Sequence, residues 1–311
     1  MGKTAFIFPG QGAQYVGMGQ QFFTDTAEGK DIFAAADKIL GFSLQDLCLE
    51  GPIEDLQKTS NTQPALLAVS YMAYVLLSKE GVKPDLVAGH SLGEYSALLA
   101  AGVMDFSTAL QLVRKRGELM EEAAADKGGG MAAILGLAAE KLEAVCAEVD
   151  GIVEPVNYNC PGQIVIAGEV KALEEAMKKA KEQGAKRAVR LAVSGPFHSS
   201  LMQPVGEKLA QELALKEFVP ASIPVVTNVD ASFLTEIKDI KESLVKQVYS
   251  SVRWEQSVRA MLDFGIDTFI ELGPGKVLSG LVKKVDKSVN IYHVEDMETL
   301  AKTTEALKEG M

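Results

Sequence analysis

Cysteine is scarce. Cys48, Cys146 and Cys160 are the only three in 311 residues, and they are scattered. They form neither a disulfide framework nor a zinc site, and they read as small apolar residues. Histidine is as rare, with His90, His198 and His293 alone, so any imidazole chemistry must fall to one of these. Positive charge is also short: 31 Lys and Arg against 42 Asp and Glu leave a net charge of −11. A chain this acidic is repelled by nucleic-acid phosphates, so no nucleic-acid partner is expected. Long hydrophobic runs are missing, and none approaches the roughly 20 apolar residues of a membrane helix. The apolar run Ala5–Phe8 is too short for a secretory leader, and Phe6 stands where an acylation signal needs Ser or Thr. No membrane association and a cytoplasmic location are therefore expected. There is no internal repeat and no low-complexity tract.

What is present is an ordinary globular balance, 47% apolar and 23% charged residues, over a length that suggests about two domains. Short apolar runs ending in turns predict strands at Ala5–Phe8, Leu86–Ala88, Ile223–Thr227, Thr268–Leu272 and Asn290–Val294. Stretches with helical spacing separate them. That alternation predicts an α/β fold with a mostly parallel sheet under helices. After the flexible Gly128-Gly129-Gly130 the pattern changes. A strand (131–135), a helix (139–149), two strands (153–158 and 163–167) joined by the turn Asn159-Cys160-Pro161-Gly162, a helix (171–183) and a strand (186–191) follow. This is the β-α-β-β-α-β order of a ferredoxin-like unit. The expected division is a discontinuous large domain, 1–127 and 195–311, with an inserted subdomain, 128–194, and a ligand cleft between them.

The sharpest motif is Gly89-His90-Ser91-Leu92-Gly93. A predicted strand enters it and a nearly all-apolar helix leaves it, which is the context of a nucleophile elbow. There the Ser91 hydroxyl is exposed, and the Leu92 N–H at the helix start faces a developing oxyanion. The serine needs a base. His90 adjoins it on a tight turn and His293 sits in a strand pattern, so elimination favours His198, where the chain leaves the inserted unit. No aspartate is near His198 in sequence, so a Ser-His dyad is expected, with the imidazole oriented by an amide or a backbone carbonyl. Arg116 is the second signal. In the predicted helix 105–125 it interrupts the apolar stripe Ala109, Leu112, Val113, Met120, Ala123. An arginine on an apolar face is costly unless it meets an anion: a substrate carboxylate on the functional reading, an internal ion pair or a snorkelling side chain on the structural one. The loop Gly10-Gln11-Gly12 follows the first strand, and Gln11 or a backbone N–H of this loop is a second oxyanion donor. Tyr15 stands where a dinucleotide fingerprint needs its third glycine, and Gly273-Pro274-Gly275-Lys276 is a turn opening a helix rather than a phosphate loop.

Together these segments resemble the malonyl-CoA:acyl-carrier-protein transacylases, the acyltransferases of bacterial fatty-acid synthesis. The likeness is carried in order by residues 8–14, 62–65, 89–95, 116–117, 159–163, 197–199, Gln247 and 273–278. It implies a hydrolase-like core with a ferredoxin-like insertion. It implies Ser91 as nucleophile, His198 as base and acid, and Leu92 and Gln11 as oxyanion donors. Gln247 is then the residue whose carbonyl orients His198, and Arg116 the partner of the malonyl carboxylate. Gln63 and Met120 line the pocket, and Phe197 matches enzymes preferring malonyl over methylmalonyl units. The implied partners are a coenzyme A thioester, malonyl-CoA, and an acidic acyl carrier protein. Lys283, Lys284 and Lys287, or Lys178, Lys179, Lys181, Lys186 and Arg187, offer docking ground. No bound cofactor or metal is implied, and a monomer is expected. A thioesterase or esterase shares the elbow without a use for Arg116. A polyketide acyltransferase shares the chemistry with another carrier, and a non-catalytic scaffold shares only the fold.

Overall fold

The computed structural model describes residues 2–193 and 195–309. Ser194, where the expected insertion ends, lies outside the described residues. Among the described residues, ten strands divide between two sheets. The larger has the order β10-β9-β1-β2-β7-β8, built from β1 (Lys3–Phe8), β2 (Leu86–Gly89), β7 (Val225–Val226), β8 (Phe233–Leu234), β9 (Ile266–Leu272) and β10 (Asn290–Val294). All its pairings are parallel except the hairpin of β7 with β8. The smaller is antiparallel, in the order β4-β5-β3-β6. Its members are β3 (Gly130–Leu135), β4 (Val153–Cys160), β5 (Gln163–Gly168) and β6 (Arg187–Arg190), with helices Ala139–Ala147 and Val170–Glu182 between them. That arrangement is the split β-α-β order of a ferredoxin-like unit.

The central strands are apolar on both faces because helices cover both. Phe6 and Phe8 pack into one cluster with the long helices Thr59–Lys79 and Phe106–Lys127. Ala5 and Ile7 face the other way, against Trp254, Phe269 and Leu281. Continuous apolar runs rather than alternation are the mark of such buried parallel strands. The run Ile223–Thr227 yields only a two-residue strand, because Pro224 has no N–H to give the ladder; it pairs instead through its carbonyl, which accepts from Val87 N at 3.0 Å.

The small sheet is sewn to the main body along β4. Tyr158 N donates to Val252 O at 2.9 Å, and Val252 N donates to Val156 O at 2.8 Å. Ser251 Oγ adds a bond to Pro155 O at 2.8 Å. On the other edge, Leu191 and Val193, just past β6, line the cavity beside Ser91.

Candidate active site

β1 and β2 run in register, with Phe8 opposite Gly89, so their carboxyl ends open at the same level. Ligands of open α/β sheets bind in that position. The chain turns sharply after Gly89 into the helix Gly93–Ala100. Ser91 sits at the turn with φ +51°, the left-handed region, which costs a non-glycine residue roughly 1–2 kcal/mol. Both flanking glycines are required by space. A Cβ on Gly93 would stand 2.0 Å from the Phe8 carbonyl oxygen, and one on Gly89 would stand 1.9 Å from the Gly93 carbonyl carbon. The elbow is therefore pressed directly onto β1.

Ser91 Oγ lies 2.7 Å from His198 Nε2. His198 is buried, and its Nδ1 lies 2.8 Å from the Gln247 carbonyl oxygen. A carbonyl only accepts, so Nδ1 carries the proton and Nε2 is the lone-pair nitrogen facing the serine hydroxyl. Burial, aided by the Arg116 charge, pushes the His198 pKa down to about 3, which keeps the imidazole neutral at physiological pH. His198 also has positive φ, +64°, a second strained residue at the same spot.

The Ser91 N–H is taken by Asn228 Oδ1 at 2.6 Å. The Leu92 N–H, at the start of the elbow helix, has no hydrogen-bond partner among the described residues, and neither has the Gln11 N–H. The Gln11 side chain turns away, with Nε2 donating to Thr59 Oγ1 at 3.3 Å. Of the two sources the sequence leaves open in that loop, the backbone is the one free to donate.

Arg116 is 1% exposed. Its Nη1 donates to Gln63 Oε1 at 2.9 Å, and its Nη2 donates to Gln247 Oε1 at 3.0 Å and to Ser91 Oγ at 3.2 Å. Among the described residues it makes no salt bridge, so the internal ion pair weighed from the sequence is not what holds it. Burial pushes its pKa down, but a guanidinium keeps its proton. A buried cation held only by neutral oxygens beside a serine hydroxyl is a standing site for an anionic group. Tyr95 lies beneath it, with the guanidinium 5.5 Å from the ring centre. Met120, Phe197, Met131, Leu191 and Val193 close the cavity, about 90 Å³, with apolar surface. It opens beside a cleft of about 470 Å³ that runs between the Gly10–Gln14 loop, Asn157, Asn159 and the helix Val277–Val285.

The structure thus joins Ser91, His198, Arg116, Gln63 and Gln247 in one hydrogen-bonded network, and sets Gln11, Leu92, Met120 and Phe197 in the cavity around it. His90 lines the cavity and the cleft beside it, but its Nε2 is bonded to Asn159 Oδ1 at 2.8 Å rather than to the serine. His293 lies on β10 near Glu295. Two residues of the network were not singled out from the sequence. Asn228, just past β7, ties the elbow through Ser91 N and through the Gly89 carbonyl at 2.7 Å. Glu94 accepts from Asn228 N at 3.0 Å and Gln247 Nε2 at 2.9 Å. Glu94 had a readable signal, as the one charged residue in the elbow helix. Asn228 had only its place after a strand.

Fold and geometry define an α/β protein of the nucleophile-elbow class. Its serine faces a neutral imidazole, and its cavity carries a buried cation. The family described as acyl transferase domain matches residues 5–306, and the chain belongs to that family. It is 49% identical to the malonyl CoA-acyl carrier protein transacylase of Bacillus subtilis, over 99% of this chain and 98% of that one. Among solved structures it is similar to an acyl carrier protein S-malonyltransferase from Vibrio cholerae, at 46% identity and TM-score 0.94 over 97% and 99% of the two chains. It is also similar to a malonyl-transacylase solved in complex with its type II PKS acyl-carrier protein, at 44% identity and TM-score 0.95 over 98% and 99%.

Proposed function

We propose that this protein moves the malonyl group from malonyl-CoA to the phosphopantetheine thiol of an acyl carrier protein, through a malonyl ester on Ser91. The observation that carries the reading is the placement of Arg116 Nη2 3.2 Å from Ser91 Oγ. A three-carbon diacid monothioester carries its free carboxylate one methylene from the reacting carbonyl, so a cation set against the nucleophile meets that carboxylate. His198 Nε2 takes the hydroxyl proton as Ser91 Oγ attacks the thioester carbonyl. The oxyanion is met by the N–H groups of Leu92 and Gln11, each worth about 3 kcal/mol of barrier. The imidazolium returns the proton to the departing CoA thiolate. In the second half His198 deprotonates the carrier thiol, which attacks the ester and regenerates Ser91. Thioester is exchanged for thioester, so the cycle needs no bound cofactor, metal or energy source.

Gln247 orients His198 through its carbonyl, Gln63 supports Arg116, and Met120 and Phe197 bound the space beside the acyl chain. Residues 128–194 act as an inserted subdomain over the large domain, and the protein works as a cytoplasmic monomer in fatty-acid synthesis. A polyketide carrier is the second reading, favoured by the near-identical fold of the neighbour solved with its PKS carrier. Relative transfer rates to carriers of the two kinds separate them. The test of the main reading is intact-mass spectrometry after mixing with malonyl-CoA. A malonyl adduct that Ser91→Ala abolishes is expected. Steady release of free malonate without an adduct would replace the transferase with a hydrolase.

A further inference from the structure

The Gln247 side-chain amide has two unlike ends, and the site uses both. Its Nε2 donates to Glu94 Oε2 and to the Ser91 carbonyl, each at 2.9 Å, while its Oε1 accepts from Arg116 Nη2 at 3.0 Å. Turned by half a rotation, the amide would aim N–H groups at a guanidinium that has only donors. It would also set its oxygen against two acceptors. Glu94 anchors the correct end. Its Oε2 is fixed in turn by Asn228 N at 3.0 Å. Glu94 is 2% exposed and forms no salt bridge among the described residues. A buried carboxylate without a cation is costly unless its bonds serve something, and Glu94 touches no reacting atom.

Arg116 is gripped by amide oxygens on its two terminal nitrogens, Gln63 on Nη1 and Gln247 on Nη2. Two grips on opposite nitrogens set the plane of the fork; without Gln247 the remaining partner of Nη2 is the Ser91 hydroxyl, the group that reacts. We infer that Glu94 is a positioning residue for acyl selection: by accepting from the Gln247 amide, it keeps that amide's oxygen on Arg116 and so holds the guanidinium in the plane that receives the acyl carboxylate. The inference rests on the malonyl reading above. Its mark is selectivity, because a merely structural role would lower stability and all acyl transfer together.

The test measures single-turnover acylation of Ser91 by malonyl-CoA and by acetyl-CoA in the parent, Arg116→Ala, Glu94→Gln, Glu94→Asp and Glu94→Met. Glutamine keeps an acceptor in place, so Glu94→Gln holds the malonyl-to-acetyl ratio within threefold of the parent. Methionine removes the acceptor, and the ratio falls tenfold or more. Glu94→Asp withdraws the carboxylate by one methylene and lowers the ratio in the same direction, which keeps the test alive if the methionine variant does not fold. An unchanged ratio in the aspartate or methionine variant overturns the inference. So does a Glu94→Gln variant as unselective as Glu94→Met. If the parent forms no malonyl adduct, or if Arg116→Ala leaves the ratio untouched, the malonyl reading itself fails and takes the inference with it.

Discussion

Replacing Arg116 by alanine gives the sharpest separation of binding from chemistry. The buried guanidinium sets Nη2 against Ser91 Oγ and Nη1 against Gln63 Oε1, both in the wall of the cavity. A malonyl carboxylate received by both loses two charge-assisted hydrogen bonds in Arg116→Ala. At about 1.5–3 kcal/mol each the cost is about 3–6 kcal/mol. One factor of ten is 1.36 kcal/mol, so kcat/KM for acylation by malonyl-CoA falls by about 10²–10⁴. Arg116 also donates to Ser91 Oγ, so its loss changes the nucleophile itself. That change is felt equally by every acyl donor. Acetyl-CoA, which brings no anion to the cation, is therefore the internal control, and its rate is expected to stay within about tenfold of the parent, a loss of at most about 1.4 kcal/mol. The assay is the rate of adduct appearance by rapid-quench intact mass with each donor at neutral pH. Parallel loss of both rates would refute the carboxylate fork and leave Arg116 a support for Ser91. Arg116→Lys restores charge without the fork and falls between the two.

Two further outcomes follow from strain and from buried charge. Both Ser91→Ala and Ser91→Gly abolish acylation, but only glycine relaxes the φ of +51°; its melting midpoint should exceed that of the alanine variant by about 1 kcal/mol of stability, and the reverse order would show that the elbow stores no strain. His198 and Glu94 pull stability in opposite directions with pH. Burial and the Arg116 charge push the His198 pKa down to about 3 from an unfolded value of about 6.5, so its contribution erodes as pH falls from about 6.5. Burial pushes the Glu94 pKa up to about 7, above its unfolded value, so the folded state holds a proton that the unfolded chain releases, and its contribution grows as pH falls from about 7 to about 4.5. At up to 1.36 kcal/mol per unit, the parent gains up to about 3 kcal/mol over Glu94→Gln across that window. His198→Asn shows the opposite trend. Denaturant melts at stepped pH measure both, and a flat difference for Glu94→Gln would mean that Glu94 is ionised in the folded protein.

The legible parts of this molecule are those fixed by local geometry. The elbow needs two glycines and a small polar residue in five positions, and the space around Gly89 and Gly93 shows why nothing larger fits. Arg116 was legible because a helix has a period and a cation in its apolar stripe breaks it. β10 was read to the residue, since Asn290–Val294 is bounded by turns at both ends. The seam along β4, the hairpin of β7 with β8, and the ties made by Asn228 join residues far apart in sequence. Asn228 meets Ser91 across 137 positions and Gln247 meets Glu94 across 153. Nothing in the composition of either segment announces its partner. The residues of the chemistry could be read as types in a pattern; of the polar scaffold that aims them, Gln247 came only through the resemblance and Asn228 not at all.

The stitching of β4 to Ser251 and Val252 fixes one edge of the small sheet to the main body. Its opposite edge, β6, leads to Leu191 and Val193 over the serine. Met131, Leu191 and Val193 pack against the main core as well, so the sheet is held near both edges. The same short stretch of chain that carries the seam at Val252 also carries the Gln247 carbonyl that steadies His198. One short run of backbone, residues 247–252, therefore sets both the seat of the wall above Ser91 and the bearing of the imidazole beside it.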